Sequence, residues 1–358
     1  MCRANELIED PLFQLNVLLW LAQPLPPQTG IAPLLYESGF TVYAISPQLG
    51  VPLDVRLGCK EKGIDLQGTV APDVVLEREN DHRFAFVECK KSSFGASSST
   101  ARQARSLLVV AGPRAADVLS EEILDSSLVF LIPEDDRECL ADSLTAIREE
   151  LVENGLPAAH LVVLGLLSSE SEVCIVADDR ASNFFQLASG ENPFIELEPD
   201  TDPRPLYLIP YDPDIDQSPQ QTAHSKRILF ERMQSSVIAA VGPANPRSEL
   251  TIGLEKILGD ATLGMFSLWE NAASQKHLRR LCGDLMRNIA NAVNVVASGV
   301  MVVEPTGVKI ALGDEAQSEK VLDALTRFSC ETLDLESEPE ATLFEGIEDN
   351  GAASEEAN

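Results

Sequence analysis

Residues Pro72–Lys90, PDVVLERENDHRFAFVECK, constrain the fold more than any other part of the chain. Val74-Val75-Leu76 and Phe84-Ala85-Phe86-Val87 are short β-prone apolar runs on either side of the polar stretch Glu79-Asn80-Asp81-His82, the pattern of a β-hairpin. Side chains alternate faces along a strand, so Phe84, Phe86, Glu88 and Lys90 share one face while Ala85, Val87 and Cys89 share the other. Both faces begin apolar, which marks a central strand buried on two sides. A turn centred on Asn80-Asp81 pairs residues whose numbers sum to 161, so Asp73 lies opposite Glu88. Like charges facing each other across two strands are destabilising, and a cation belongs between them.

The flanking pattern is α/β. Gly30–Ser38 reads as helix, Thr41–Ile45 as extended, residues 97–112 as helix and 127–133 as strand. A helix over about 136–154 and strands within 160–167 and 172–178 follow. Near the N-terminus, DPLFQLNVLLWLAQ reads as an amphipathic helix. Its apolar stretch is too short to span a bilayer, and the acids before it exclude a signal peptide.

These signals divide the chain into an α/β domain over 1–190, a Pro-rich acidic linker over 191–220, a mainly helical domain over 221–330 and a disordered acidic tail over 331–358. The linker holds seven prolines and one candidate strand at 206–210. The tail has ten acids and no Lys or Arg. Within the helical domain, residues 274–293 put Leu278, Leu281, Leu285 and Ile289 on one face, with Lys276, Arg280 and Arg287 away from it. A hairpin over 299–312, turning at Pro305-Thr306-Gly307, and a last helix over about 317–328 complete a pattern compatible with a winged-helix-like module.

Seven scattered cysteines, never spaced C-x-x-C, point to reduced thiols in a cytoplasmic protein rather than a disulfide framework or zinc site. The four histidines show no metal-ligand spacing, and there is no phosphate-binding Gly loop. A formal net charge of −30 argues against general affinity for nucleic acid or anionic membrane. Between Arg83 and Arg114, however, six Lys or Arg face a single acid, Glu88. Lys91, Arg102 and Arg105 are therefore candidates for a local phosphate-facing surface.

Two carboxylates and the Lys90 ammonium converging at the end of a buried strand form a hard-oxygen site suited to Mg²⁺ or Mn²⁺. A divalent ion there would polarise a phosphate and acidify a bound water, and a nearby lysine would position that water or offset developing charge. Pro72-Asp73 followed by Glu88-Cys89-Lys90 resembles the motif of the PD-(D/E)XK nuclease superfamily. The resemblance covers about residues 25–135 and implies a restriction-endonuclease-like mixed sheet flanked by helices. It also implies metal ligation by Asp73, Glu88 and the Cys89 carbonyl, a catalytic Lys90, and Gln103 in the helix after the lysine strand. One departure is the first core helix, where some members carry Glu; Gly30-Ile31-Ala32-Pro33 has none, and Glu37 is poorly spaced to replace it.

The expected function is thus Mg²⁺-dependent hydrolysis of nucleic acid, DNA rather than RNA, in defence, restriction or repair. The alternatives are a catalytically silent nuclease-like scaffold and a DNA-binding regulator acting through a protein partner. A protein partner or homodimer through the C-terminal domain is compatible with either, and no membrane association is expected.

Overall fold

The structure is a computed structural model of the chain, and it describes residues 7–26, 29–169, 171–196, 207–215, 217–244 and 249–329. Two compact units are formed. The first comprises Met1–Leu208 with Leu268–Asn271, the second Ile209–Ser267 with Ala272–Asn358.

The first unit is built on a mixed seven-stranded sheet. Its strands are β1 (Thr41–Ile45), β4 (Val74–Arg78), β5 (Arg83–Cys89), β6 (Asp125–Pro133), β7 (His160–Ser168), β8 (Glu172–Ala177) and β9 (Gly190–Glu196), adjacent in that order. A separate short pair, β2 (Leu49–Gly50) with β3 (Thr69–Val70), lies outside this sheet. β4 is antiparallel to both β1 and β5, β5–β6–β7 run parallel, and β8 and β9 return antiparallel. Parallel neighbours need long crossovers, supplied by helices α4 (Ser99–Val110) and α6 (Glu134–Glu153). Those helices bury Leu107, Leu144 and Ile147 in one cluster with Phe84, Phe86, Leu128 and Phe130 of the sheet. Helices α2 (Leu34–Glu37), α3 (Leu53–Glu61), α5 (Ala115–Leu119) and α7 (Asp179–Phe185) complete the connections.

The first helix, α1 (Pro11–Leu21), is not amphipathic: every residue from Leu12 to Leu21 is buried. A helix apolar all round belongs inside a protein, and its two polar side chains are paid for by specific bonds. Gln14 Nε2 donates to the carbonyls of Ile8 (2.8 Å) and Lys90 (3.1 Å). Asn16 Nδ2 donates to Leu12 O (2.8 Å), and its Oδ1 accepts from Leu208 N (2.7 Å).

Three further sequence readings are corrected. The helix expected from Gly30 is only the single turn Leu34–Glu37, because Pro33 blocks extension backward and Ile31 bridges Ile195 instead. The linker expected over 191–220 does not include residues 191–196, which are part of β9, and residues 197–206 lie outside the described residues. β9 tolerates Pro193 because it is an edge strand and because its pairing with β8 is irregular between Val173 and Cys174. No strand forms at residues 207–210, which run as bends. Leu268–Asn271, distant in sequence, adds to the first unit by a Trp269–Ile45 bridge and a Glu270 N–H donated to Ile45 O (2.9 Å). The acidic tail assigned to 331–358 lies outside the described residues.

The second unit is mainly helical, with α8 (Pro219–Val241), α9 (Leu254–Ala261), α10 (Ala272–Val296) and α11 (Glu315–Arg327). Its sheet of β10 (Glu249–Gly253), β11 (Met301–Glu304) and β12 (Gly307–Ala311) has the order β10-β12-β11. Leu278, Leu281, Leu285 and Ile289 form the buried stripe of α10. At the hairpin, a Cβ on Gly307 would stand 2.5 Å from Ile252 O, so only glycine fits beside β10. Among the described residues no helix is long and apolar enough to cross a membrane.

Candidate active site

Hairpin geometry builds the site. The β4–β5 pairs are Val74↔Val87, Val75↔Phe86, Leu76↔Ala85, Glu77↔Phe84 and Arg78↔Arg83, each summing to 161. Asp73, one residue before β4, therefore stands across from Glu88, and its Oδ2 accepts the Cys89 backbone N–H at 2.6 Å. Ser46 N–H donates to the Asp73 carbonyl at 2.9 Å, tying the end of β1 to the same point. Lys90 N–H donates to Leu131 O (2.9 Å), continuing the β5–β6 alignment one residue past the strand.

The side chains close on one another. Lys90 Nζ lies 2.6 Å from Glu88 Oε1, and Gln103 Nε2 of α4 donates to the same oxygen at 2.9 Å. Gln103 Oε1 accepts from Lys90 Nζ at 3.4 Å. Glu88 is only 3% exposed, and its second oxygen, Oε2, is buried with no hydrogen-bond partner among the described residues. Gln14 Oε1 is likewise buried and unpartnered, on a side chain whose amide grips the Lys90 carbonyl. Buried acceptors are ordinarily satisfied, so the Glu88 oxygen is fitted to take a further donor or a cation.

Burial, reinforced by the Asp73 charge, pushes the Glu88 carboxyl up to about 7 against the opposing pull of Lys90 and Gln103. Burial also raises Asp73, opposed by the Cys89 N–H and Lys90. Burial alone would depress Lys90, but Glu88 and then Asp73 outweigh it and hold the ammonium above its ordinary range. Cys89 is 7% exposed, and burial followed by the two carboxylates pushes its thiol well above the usual range, so it is no nucleophile.

Of the residues anticipated from sequence, Asp73, Glu88, Lys90 and Gln103 meet in one cluster, and Cys89 supplies a backbone N–H to it. Lys91 is exposed beside them. Arg102 instead pairs with Asp65 (3.0 Å) and donates to Leu66 O (3.1 Å). Arg105 pairs with Glu150 of α6 (2.8 Å) and donates to Ala96 O (3.1 Å). Arg83 and Arg114 are also held in ion pairs, with Asp125 and with Asp54. The basic window is thus largely neutralised by acids from distant segments. Glu37 is exposed at the end of α2 and takes no part. Gln14 was missed, although an amide inside an apolar helical run is a legible signal of a buried polar role.

A second acidic group lies on β8 and β9. The ligand atoms of Glu172, Cys174 and Glu191 fall within 4.8 Å of one another. Burial and then the two carboxylates push the Cys174 thiol up to about 12. This group is three strands away from β5. Compared with known proteins, the chain matches no family model, no curated protein and no solved structure.

Proposed function

We propose that the first unit is a divalent-metal-dependent phosphodiester hydrolase of the PD-(D/E)XK type, acting on nucleic acid and on DNA rather than RNA. One observation carries the reading: Asp73 and Glu88 are opposed at the end of a buried strand, with Lys90 paired to Glu88 Oε1 and Glu88 Oε2 unsatisfied among the described residues. Oxygen-only side chains of this kind suit Mg²⁺, with Mn²⁺ as a substitute, and Asp73 and Glu88 would hold it with the Cys89 carbonyl. The metal would supply electrophilic activation of a phosphate and acidification of a bound water.

The chain's own groups account for the remainder. Cys89 N–H orients Asp73, and Gln103 orients Glu88 by sharing Oε1 with Lys90. Lys90, held as ammonium, is placed to steady a water or the charge that develops on phosphate. Gln14 fixes the Lys90 backbone by donating to its carbonyl. The mixed sheet with helical crossovers supports a restriction-endonuclease-like assignment, and the β10-β12-β11 sheet beside α10 supports a winged-helix-like second unit.

A silent scaffold is the second reading, favoured by the ion pairs that occupy Arg102, Arg105 and Arg114. Incubation with labelled single- and double-stranded DNA and RNA in Mg²⁺, Mn²⁺ or EDTA separates the two. Metal-dependent cleavage inhibited by EDTA is expected; intact substrate under every condition would leave the scaffold.

If nucleic acid docks here, Lys91 and Arg102, whose side chain stays 48% exposed beside an exposed Asp65, contact phosphates and not bases. Neutralising either is expected to weaken binding similarly for all sequences and flatten log affinity against log salt by about one unit. Arg105→Gln, by contrast, is expected to lower stability without changing the slope, because its side chain is 18% exposed and already committed to Glu150. Salt titrations of binding alongside denaturant unfolding check both.

A further inference from the structure

A separate cavity opens at the opposite end of the same strands. Arg83, Asp125 and His160 are the first residues of β5, β6 and β7, and they line a cavity of about 620 Å³ with Arg148, Arg180 and Phe184. Arg83 and Glu88 are five residues apart along β5, so this cavity lies roughly 17 Å from the carboxylate pair at ~3.3 Å per residue.

The cations of this cavity differ in their commitments. Arg83 is neutralised by Asp125 at 3.1 Å, donates to Phe184 O at 3.2 Å and covers the Phe184 ring, so it forms wall. Among the described residues Arg148 gives only its Nε, to Ala159 O at 2.9 Å, which fixes the guanidinium and leaves both terminal amino groups for a ligand. Among the described residues neither Arg148 nor Arg180 has a carboxylate at ion-pair distance. This is unusual in a chain with 57 acids for 27 bases, where most other arginines of this unit have found one. Glu149 is the remaining carboxylate of the lining, and it is exposed.

We propose that this cavity binds a small phosphate monoester of nucleotide size, gripped by Arg148 and Arg180 with His160 as a further hydrogen-bonding group. Arg148 and Arg180 can each pair with oxygens of one phosphate dianion, whereas a monocarboxylate would engage only one of them fully; the exposed Glu149 of the lining lowers the net charge but is paired to neither among the described residues. Their planar forks suit tetrahedral oxyanions, and the volume falls within the range of small-ligand sites.

Calorimetric titration of the full chain in EDTA tests this, with inorganic phosphate, a nucleoside monophosphate and acetate as probes. Saturable binding of both phosphates and none of acetate is expected, with the nucleoside monophosphate tighter if the whole cavity is used. Arg180→Gln removes an exposed side chain and is expected to weaken binding about tenfold, the scale of one charged hydrogen-bonding group. Arg148→Gln with Arg180→Gln is expected to abolish it, while Asp73→Asn leaves it unchanged. Absence of saturable binding would overturn the proposal. So would binding that survives the double arginine variant or vanishes with Asp73→Asn.

Discussion

Asp73→Asn, Glu88→Gln and Lys90→Met are each expected to reduce metal-dependent phosphodiester cleavage by at least about 10²–10³-fold, the usual effect of deleting one preorganised charge-stabilising group. The three substitutions fail for two different reasons. The first two keep shape and hydrogen bonding at Cys89 N–H and Gln103 Nε2 while removing a negative charge that a cation would need. The third keeps the carboxylates and removes the ammonium that touches Glu88. Effects of groups acting as a unit do not add, so the double variant Asp73→Asn with Glu88→Gln should be little worse than either single. Gln103→Ala is expected to be milder, because it orients Glu88 without carrying charge. Single-turnover cleavage with saturating enzyme measures all five; wild-type rates in the first three would remove the assignment.

The same carboxylates predict an unusual dependence of stability on pH. A carboxyl raised to about 7 holds its proton in the folded protein over a range where the unfolded chain, near 4.3, has released it. The folded state therefore binds more protons between roughly pH 4.5 and 7, and unfolding free energy falls as pH rises through that window. Stability from this site is complete below the unfolded value and lost as pH climbs through the folded one. Asp73, also raised, acts in the same direction. Over the window the loss amounts to about 2–3 kcal/mol, because the slope of ~1.4 kcal/mol per unit tapers near each of the two pKa values. Glu88→Gln cannot titrate, so the difference between wild type and variant should change in the variant's favour by that amount from pH 5 to pH 8. Denaturant unfolding in EDTA at four pH values reads the difference directly; parallel curves would show that Glu88 ionises normally.

How much of this was legible depended on how local the cause was. The hairpin register followed from apolar runs and a polar turn within nineteen residues, Pro72–Lys90, and every β4–β5 pair obeys it. With the register came Asp73 opposite Glu88, and with the alternation of faces came Lys90 beside Glu88. Gln103 came only from the family resemblance, and α4 does carry it to Glu88 and Lys90. Longer-range causes were hidden. Gln14 reaches the site only because α1 is wholly interior, which its two amides disguised as an amphipathic pattern. Arg102 and Arg105 looked free because Asp65 and Glu150, which neutralise them, lie 37 and 45 residues away. Pro193 looked like a linker because nothing local marks β9 as an edge strand. The arginine-lined cavity escaped notice for a related reason: Arg83 of β5, Arg148 of α6 and Arg180 of α7 come from three elements far apart in sequence.

The central claim is that Asp73 and Glu88 together hold a divalent cation, and calorimetric titration with Mn²⁺ at pH 7 tests it most directly. Wild type is expected to bind one ion per chain. The heat should vary with buffer ionisation enthalpy, because Glu88 must release its proton to ligate. Asp73→Asn with Glu88→Gln should remove that binding, and Glu191→Gln, on the remote β8–β9 group, should leave it intact. Mn²⁺ affinity unchanged in the Asp73/Glu88 double variant, or abolished by Glu191→Gln, would contradict the account.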